Sequence, residues 1–205
     1  MARTQDERKA ETRARLLHAA ADLFAAHGID AVSVDAVADA AGRTSGAVYA
    51  HFGSKQGMVL ALLDEWRHSL VAGLLAAFER TAELDDRLRA VAEDLIVSPT
   101  AATQRLVLLE EELRLRAMRD PDVAGIVRAR AAETRRFLAR GFASWVAQGL
   151  LDTTTPPDVL ATSFLATVTG LQALHRIDPD AVTTDVAVAA MAAAIGAVLP
   201  AAAPA

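Results

Sequence analysis

Hydrogen-bond donors suited to an anion are concentrated between Ser33 and Lys55. Tyr49, His51 and Lys55 supply a phenol, an imidazole and an ammonium group within a stretch of seven residues. Ser33 precedes them and can offer a hydroxyl together with its own backbone N–H. A lysine at the start of a helix also adds its charge to the positive end of the helix dipole. The chemistry that this pattern favours is the binding of phosphate groups.

The segment that positions these donors has the pattern of two short helices joined by a glycine turn. Ser33 is a good N-cap for the first helix, and Val37 lies on its apolar face. Gly42 permits a sharp turn through positive φ, after which Thr44 caps a second helix with Val48 pointing inward. Such a helix-turn-helix can present its second helix to the major groove of DNA.

We expect the exposed first half of that second helix to contact base edges. Arg43 is the candidate for a bidentate contact with guanine, because its N–H groups match the two guanine acceptors. Gly46 would let the helix backbone approach the DNA closely. The full set of predicted DNA contacts is Ser33, Arg43, Thr44, Ser45, Gly46, Ala47, Tyr49, His51 and Lys55.

Several of these residues also have a purely structural interpretation. Ser33 would cap its helix whether or not DNA is present. Tyr49 and His51 could be packing residues. Arg43 could form an ion pair with Asp39 at the i, i+4 spacing of a helix. These alternatives stay open on the sequence alone.

The composition favours an all-α fold. Hydrophobic residues make up 53% of the 205 residues and aromatic residues only 4%, and alanine, the strongest helix former, is frequent. Periodicity and breaker residues predict about nine helices, of which the first three form the N-terminal unit and the fourth is long. The last five are predicted near 86–97, 101–118, 122–148, 157–176 and 183–199. We therefore predict a helix-turn-helix DNA-binding domain over 1–54 and a second helical domain over 55–205.

Charge and residue usage exclude several function classes. The net charge is −5, yet residues 1–55 carry seven basic and seven acidic side chains, so a DNA-binding surface must be a local patch. The absence of cysteine excludes disulfides and thiolate metal sites. The five histidines lack helical metal-ligand spacing, and no HExxH, G-x-S-x-G or P-loop motif is present. We predict no catalytic residue, no metal and no cofactor.

The termini favour a cytoplasmic protein without a membrane segment. The first nine residues are charged and lack the apolar region of a secretory signal. The uncharged stretch 186–199 before Pro200 is shorter than a membrane span and rich in alanine. It is more typical of a buried helix.

Residues 12–58 resemble the DNA-binding domain of TetR-family transcriptional regulators. The run from Tyr49 to Lys55 is specific for that family at this distance from an Ala-Gly turn. The chain departs from the family pattern at Arg43, Ser45 and Gly57, where family members usually have an aliphatic, a basic or polar, and an acidic residue respectively. The matching residues are Thr12-Arg13, Leu16-Leu17, Ala19-Ala20, Leu23-Phe24, Gly28, Ser33, Val37-Ala38, Ala41-Gly42, Gly46, Tyr49, His51-Phe52 and Ser54-Lys55.

The resemblance implies a homodimer that binds a palindromic double-stranded operator. It further implies that 55–205 form a ligand-binding and dimerisation domain, in which helices eight and nine make the dimer contact. DNA would be released when a small-molecule effector binds in this domain. The sequence agrees, because helices eight and nine are apolar nearly all round and a second subunit would cover the additional face.

Candidate effector contacts lie on helices four to eight. Each of them could equally be an ordinary core residue, and their apolar character suggests a mostly apolar effector. They are Trp66, Leu109, Leu113, Phe137, Phe142, Trp145, Phe164 and Thr167.

The function predicted from the sequence is therefore that of a ligand-responsive dimeric DNA-binding transcriptional regulator, specifically a repressor that a small molecule releases from its operator. Two alternatives are a helical protein-binding module that has lost DNA binding, and an all-α enzyme.

Overall fold

The computed structural model describes residues 4–79, 81 and 83–196, with the backbone alone described for 69–79. This part of the chain forms nine α-helices and no strand, which confirms the predicted all-α class. No helix within it is long and apolar enough to cross a membrane. The helices are α1 (Gln5–Ala31), α2 (Val34–Ala40), α3 (Ser45–Phe52), α4 (Lys55–Glu79), α5 (Leu84–Ala92), α6 (Ala101–Ala117), α7 (Pro121–Ala147), α8 (Pro157–Ile177) and α9 (Thr184–Ala194).

Side-chain caps set the starts of several helices. Thr4 and Glu7 form a capping box at α1, in which each side chain accepts from the other residue's backbone N–H. Ser33 and Thr44 cap α2 and α3 by accepting from the N–H three residues ahead, at 3.0 and 3.3 Å. Thr183 caps α9 in the same way. The starts predicted from sequence are therefore explained by local hydrogen bonds.

One helix is broken before its end, and another ends earlier than the sequence predicts. Gly28 breaks α1 with a φ of 78°, and the helix continues beyond it to Ala31. α9 was expected to reach residue 199, yet it ends at Ala194, because Gly196 adopts a φ of 68° that closes the helix. The residues from 197 onward lie outside the described part of the chain.

The chain divides into two compact units. The first unit contains Met1–Val71 and Ala101–Pro121, so it holds α1 to α3, the first part of α4, and α6. In it, α1 packs against α2 and α6, and α2 packs against α3. The predicted boundary at residue 54 falls inside this unit, and the assignment of separate functions to 1–54 and 55–205 stays a prediction. Its buried residues include Leu16, Leu17, Ala20, Phe24, Val37, Val48, Met58, Val59, Leu63, Leu109 and Leu113.

The second unit contains Ala72–Thr100 and Asp122–Ala205. Its core joins α5, α8 and α9 with a π-helical turn at Glu93–Val97. Pro99 has no N–H to offer the carbonyl of Leu95 four residues earlier, and Gln172 of α8 supplies a donor to that carbonyl at 3.0 Å. Gln172 is thereby used for packing α8 against this turn.

The junction between α3 and α4 requires a glycine at position 57. Ser54 caps α4 by accepting from the N–H of Gly57 at 2.9 Å. A Cβ atom on Gly57 would lie 2.1 Å from the backbone oxygen of Phe52, well inside van der Waals contact. The local backbone therefore explains why this chain has glycine where the family usually has an acidic residue.

We predict opposite effects for two glycine-to-alanine substitutions within helices. Gly57→Ala should lower the free energy of unfolding by about 1–3 kcal/mol, because the backbone at Phe52 must shift. Gly141→Ala, in open space within α7, should raise it by about 0.5–1 kcal/mol through helix propensity. Urea denaturation followed by circular dichroism measures both. Equal effects in the two variants would show that the contact at Phe52 imposes no constraint.

Candidate nucleic-acid interface

The α2–turn–α3 segment forms the helix-turn-helix that the sequence predicts. Its two helices are anchored by the buried Val37, Ala38 and Val48. In the turn between them, Gly42 has a φ of 62° and the N–H of Arg43 donates to the carbonyl of Ala38 at 2.8 Å. The outward face of α3 is thus set by apolar packing beneath it.

The outward face of α3 presents a continuous set of small and polar groups. Thr44, Gly46 and Tyr49 are exposed, and Ser45 and Ala47 are half-buried. Tyr49 is 54% exposed, so it is not an interior packing residue. The phenol is available to a partner outside the protein.

Ser45 is committed to a contact within the motif. Its hydroxyl donates a short hydrogen bond to the carboxylate of Asp35 on α2. This bond ties α3 to α2 and leaves only the lone pairs of the Ser45 oxygen for an external donor. Ser45 can therefore accept a hydrogen bond from a base, whereas its proton is already used.

Among the contacts of the described residues, Arg43 forms no ion pair with Asp39, although the i, i+4 spacing allows one. Its guanidinium instead donates to the carbonyl of Gly42 at 3.0 Å. That bond uses one of five N–H donors. The remaining donors leave Arg43 able to make the bidentate contact predicted for it.

His51 lies at the edge of this surface beside two cations from α1. Burial of the imidazole, followed by the positive charges of Lys9 and Arg13, lowers the pKa of His51 below its usual value. The neutral ring, which has one N–H donor, is therefore favoured at neutral pH. Its ring also contacts Phe52, with the centroids 5.9 Å apart.

Sequence reasoning missed Arg13, which joins three helices of the first unit. Its guanidinium lies over the Phe52 ring at 5.5 Å and donates to Glu65 of α4 at 2.9 Å. Lys9 lies one helical turn earlier on the same face of α1. The i, i+4 spacing of Lys9 and Arg13 was the signal that could have identified a basic face.

Lys55 has a different contact from the one predicted for it. Its ammonium group donates to the backbone carbonyls of Ile29 and Val32, both at 2.8 Å, and more weakly to Asp30 at 3.4 Å. These carbonyls end α1, where a cation also interacts favourably with the helix dipole. The ammonium group is therefore committed to backbone carbonyls of the protein, and the phosphate contact predicted for Lys55 stays a prediction.

The same segment of α1 is held from the opposite side by α6. The carboxylate of Glu112 accepts from the N–H of Ile29, with its two oxygens at 3.0 and 3.1 Å. Arg116 pairs with Asp30, one residue further along. The link that leads into α2 is therefore fixed by charged side chains of both α4 and α6.

The predicted effector contacts are divided between the two units. Trp66, Leu109 and Leu113 belong to the first unit, and the other five belong to the second. Phe142 packs edge-on against both Phe164 and Trp145, each with centroids 5.4 Å apart. These aromatic rings contribute to the core of the second unit, so their role in binding an effector stays a prediction.

A cleft of about 540 Å³ lies in the first unit between α1 and α4. None of the predicted effector contacts lines it. Within the described residues, no group of three histidine or acidic side chains is placed to hold a metal ion. The residues that line the cleft are Arg13, Gly57, Leu60, Ala61, Asp64, Glu65 and His68.

Comparison with known proteins identifies the family. Residues 16–62 match the family of bacterial regulatory proteins named after tetR, and residues 84–200 match the C-terminal domain of BetI-type transcriptional repressors. The second match alone covers more than half of the chain. The chain belongs to the TetR family of transcriptional regulators. Members of this family are regulators and not enzymes, so the enzyme alternative does not hold.

Curated relatives align with part of this TetR-family chain. The transcriptional activator FasR of Mycolicibacterium smegmatis is 39% identical over 83 residues, which cover 40% of this chain and 38% of FasR. The transcriptional repressor KstR2 of Rhodococcus jostii is 49% identical over 55 residues, or 27% of each chain. The chain thus spans less than half the length of these two relatives.

The similarity in fold to a solved structure extends over nearly the whole of this TetR-family chain. A structure from Rhodococcus sp., described as a TetR-family regulator, superposes with a TM-score of 0.75 at 23% identity. The superposition covers 91% of this chain and 97% of that one. At this identity the likeness concerns the fold alone.

We predict that Lys55→Ala destabilises the protein instead of merely removing a phosphate contact. Three carbonyls at the end of α1 lose a charged donor, which should cost about 1.5–3 kcal/mol of unfolding free energy. Lys9→Ala, the control, removes an exposed cation and should cost less than about 0.5 kcal/mol. Urea denaturation compares the two. The opposite result, namely unchanged stability and a salt dependence of DNA binding lowered by about one unit, would restore the phosphate role.

Proposed function

We propose that this regulator is a dimeric repressor, located in the cytoplasm, that binds a palindromic operator and is released from it by a small, mostly apolar effector. The observation that carries the proposal is the exposed face of α3, held outward by Val37, Ala38 and Val48. A helix held in this way can enter the major groove without rearranging the protein.

The DNA contacts that we propose divide into positioning and reading contacts. Ser33, Tyr49 and His51 donate to phosphate oxygens, which orients the motif on the duplex but carries no sequence information. Arg43 and Thr44 contact base edges, with Ser45 and Ala47 beside them. Lys55 contributes by holding the end of α1, which keeps α2 and α3 in position.

Position 46 distinguishes a requirement of the fold from a requirement of DNA binding. A Cβ atom at this position would meet only the Thr44 hydroxyl oxygen, at an ordinary contact distance of 3.7 Å. The fold therefore does not require glycine here. We propose that glycine serves the close approach of α3 to the groove.

We predict that Gly46→Ala lowers operator affinity without destabilising the protein. The free energy of unfolding should stay constant or rise by up to about 1 kcal/mol, because alanine favours the helix. Operator affinity should fall at least about tenfold, equivalent to about 1.4 kcal/mol. The operator is first located by DNase I footprinting of the gene's own upstream region, and binding is then measured by fluorescence anisotropy. Undiminished operator affinity would contradict the close approach, and a wild-type footprint without twofold symmetry would contradict the palindromic operator.

The proposed dimer is supported by apolar side chains that the single chain leaves in solvent. Val159, Leu174 and Ile177 of α8 and Val186 of α9 are all exposed, Leu174 by 57% and Ile177 by 83%. Exposed alanines lie between them on both helices. A second copy packed on these faces would remove this surface from water and form a four-helix interface.

We predict that Leu174→Glu yields a monomer. A charge at this position would be buried without a partner in the dimer but exposed in the free chain, so the fold should persist. Leu115→Glu on α6 is the matched control, because Leu115 is also exposed, at 65%, and lies outside the proposed interface. Sedimentation should give the 21.6 kDa species for the first variant and twice that mass for the control and wild type. A wild-type chain that sediments as a monomer would refute the dimer.

The comparisons support repression more than activation, although relatives of both kinds exist. FasR is named an activator and KstR2 a repressor, and they align over 40% and 27% of this chain. The match to BetI-type repressors, in contrast, extends over residues 84–200. A reporter under the footprinted operator would decide, because deletion of a repressor raises expression.

A further inference from the structure

Helix α7 carries an unexplained concentration of positive charge. Arg128, Arg135, Arg136 and Arg140 are all exposed, and none of them has an ion pair or hydrogen bond within the described part of the chain. We call these four residues the arginine stripe. They lie in the second unit, on a protein whose net charge is −5.

The stripe is electrostatically unfavourable in the free protein. Arg136 and Arg140 stand one helical turn apart, and like charges at this spacing destabilise a helix. Several other arginines of the chain have acidic partners, such as Arg89 with Asp185 at 2.9 Å. A group of unpaired arginines on one helix face is therefore best explained by an anion that arrives from outside.

The surface around the stripe is not hydrophobic. Ala129 and Glu133 are the other exposed side chains between Arg128 and Arg140, and Glu133 has an interaction of its own. Phe137 and Leu138 also lie in this stretch but are half-buried, so neither is exposed for stacking on a base or for insertion into a bilayer. The surface thus fits a polyanion approached through its charges alone.

The spacing of the stripe favours an extended partner. With a rise of about 1.5 Å per residue, Arg128 and Arg136 lie about 12 Å apart along the helix axis, and Arg140 lies about 6 Å further. The backbone of duplex DNA presents a charge every few ångströms along each strand, so it can meet several of these residues together. Arginine is also the side chain that binds phosphate oxygens in bidentate fashion.

Several cations of the first unit are committed to contacts within the protein. Lys55 is bound to backbone carbonyls, Arg15 is paired with Glu11, and Arg116 is paired with Asp30. Other basic side chains of this unit keep donors free, and the arginine stripe provides further positive charge that a duplex can meet. We propose that the arginine stripe on α7 binds the sugar-phosphate backbone of duplex DNA independently of sequence. This inference rests on the proposed function, to which it adds a second DNA-binding surface.

The experiment measures binding to a 30-base-pair duplex without an operator by fluorescence anisotropy between 50 and 200 mM KCl. In the triple variant Arg128→Gln, Arg136→Gln and Arg140→Gln, the slope of log affinity against log salt should fall in magnitude by up to about 3 units. The corresponding triple lysine variant should keep the wild-type slope, because the charge is retained. Arg119→Gln, which removes one exposed charge from the first unit, should leave the slope within error of wild type.

The outcomes separate this inference from the proposed function. If the slope and the affinity are unchanged in the triple glutamine variant, the arginine stripe is not a DNA-binding surface. A stripe whose partner is an acidic protein would give this result. Loss of the dimer in that variant, seen by sedimentation, overturns it too, because the stripe would then be a subunit contact. Wild-type protein that binds the duplex but prefers no sequence contradicts the proposed function instead.

Discussion

The backbone at Ile29 is held by two opposite charges, and the position of the helix-turn-helix depends on them. Its N–H donates to Glu112 of α6, and its carbonyl accepts from Lys55 at the start of α4. The break at Gly28 leaves backbone groups that need partners from outside the helix, and an unpaired group here would cost about 1–3 kcal/mol. Because α2 begins six residues after Gly28, this fixed point determines where the DNA-facing helix lies.

The same arrangement explains how charge is distributed in the first unit. A count of basic residues overstates the positive charge that is available to phosphate groups, because Lys55, Arg13 and Arg116 are bound within the protein. What remains on the surface near α3 is the Arg43 guanidinium and a set of neutral groups, namely the Tyr49 phenol, the Thr44 hydroxyl and an imidazole whose pKa is lowered by burial and neighbouring cations. Positioning therefore depends on hydrogen-bond donors more than on charge in this unit.

Much of the candidate site follows from local pattern, and the exceptions have identifiable causes. Ser33 and Thr44 cap their helices as expected, because a cap involves residues only three positions apart. The internal partners of Lys55 and Ser45 could not be predicted, because they lie 23 to 26 and 10 positions away, where sequence spacing carries no signal. The predicted effector contacts share an apolar character, which does not distinguish a cavity wall from a core.

The sequence by itself determined the helices, their caps, the family and the residues capable of contacting DNA, since each depends on neighbours within one or two helical turns. Only the tertiary structure decided which donors are still free. Glu112 reaches Ile29 across 83 positions, and Arg13 reaches Glu65 across 52. Such contacts arise when apolar faces pack and bring distant charges together, and the contacts are then fixed by geometry that no local pattern encodes.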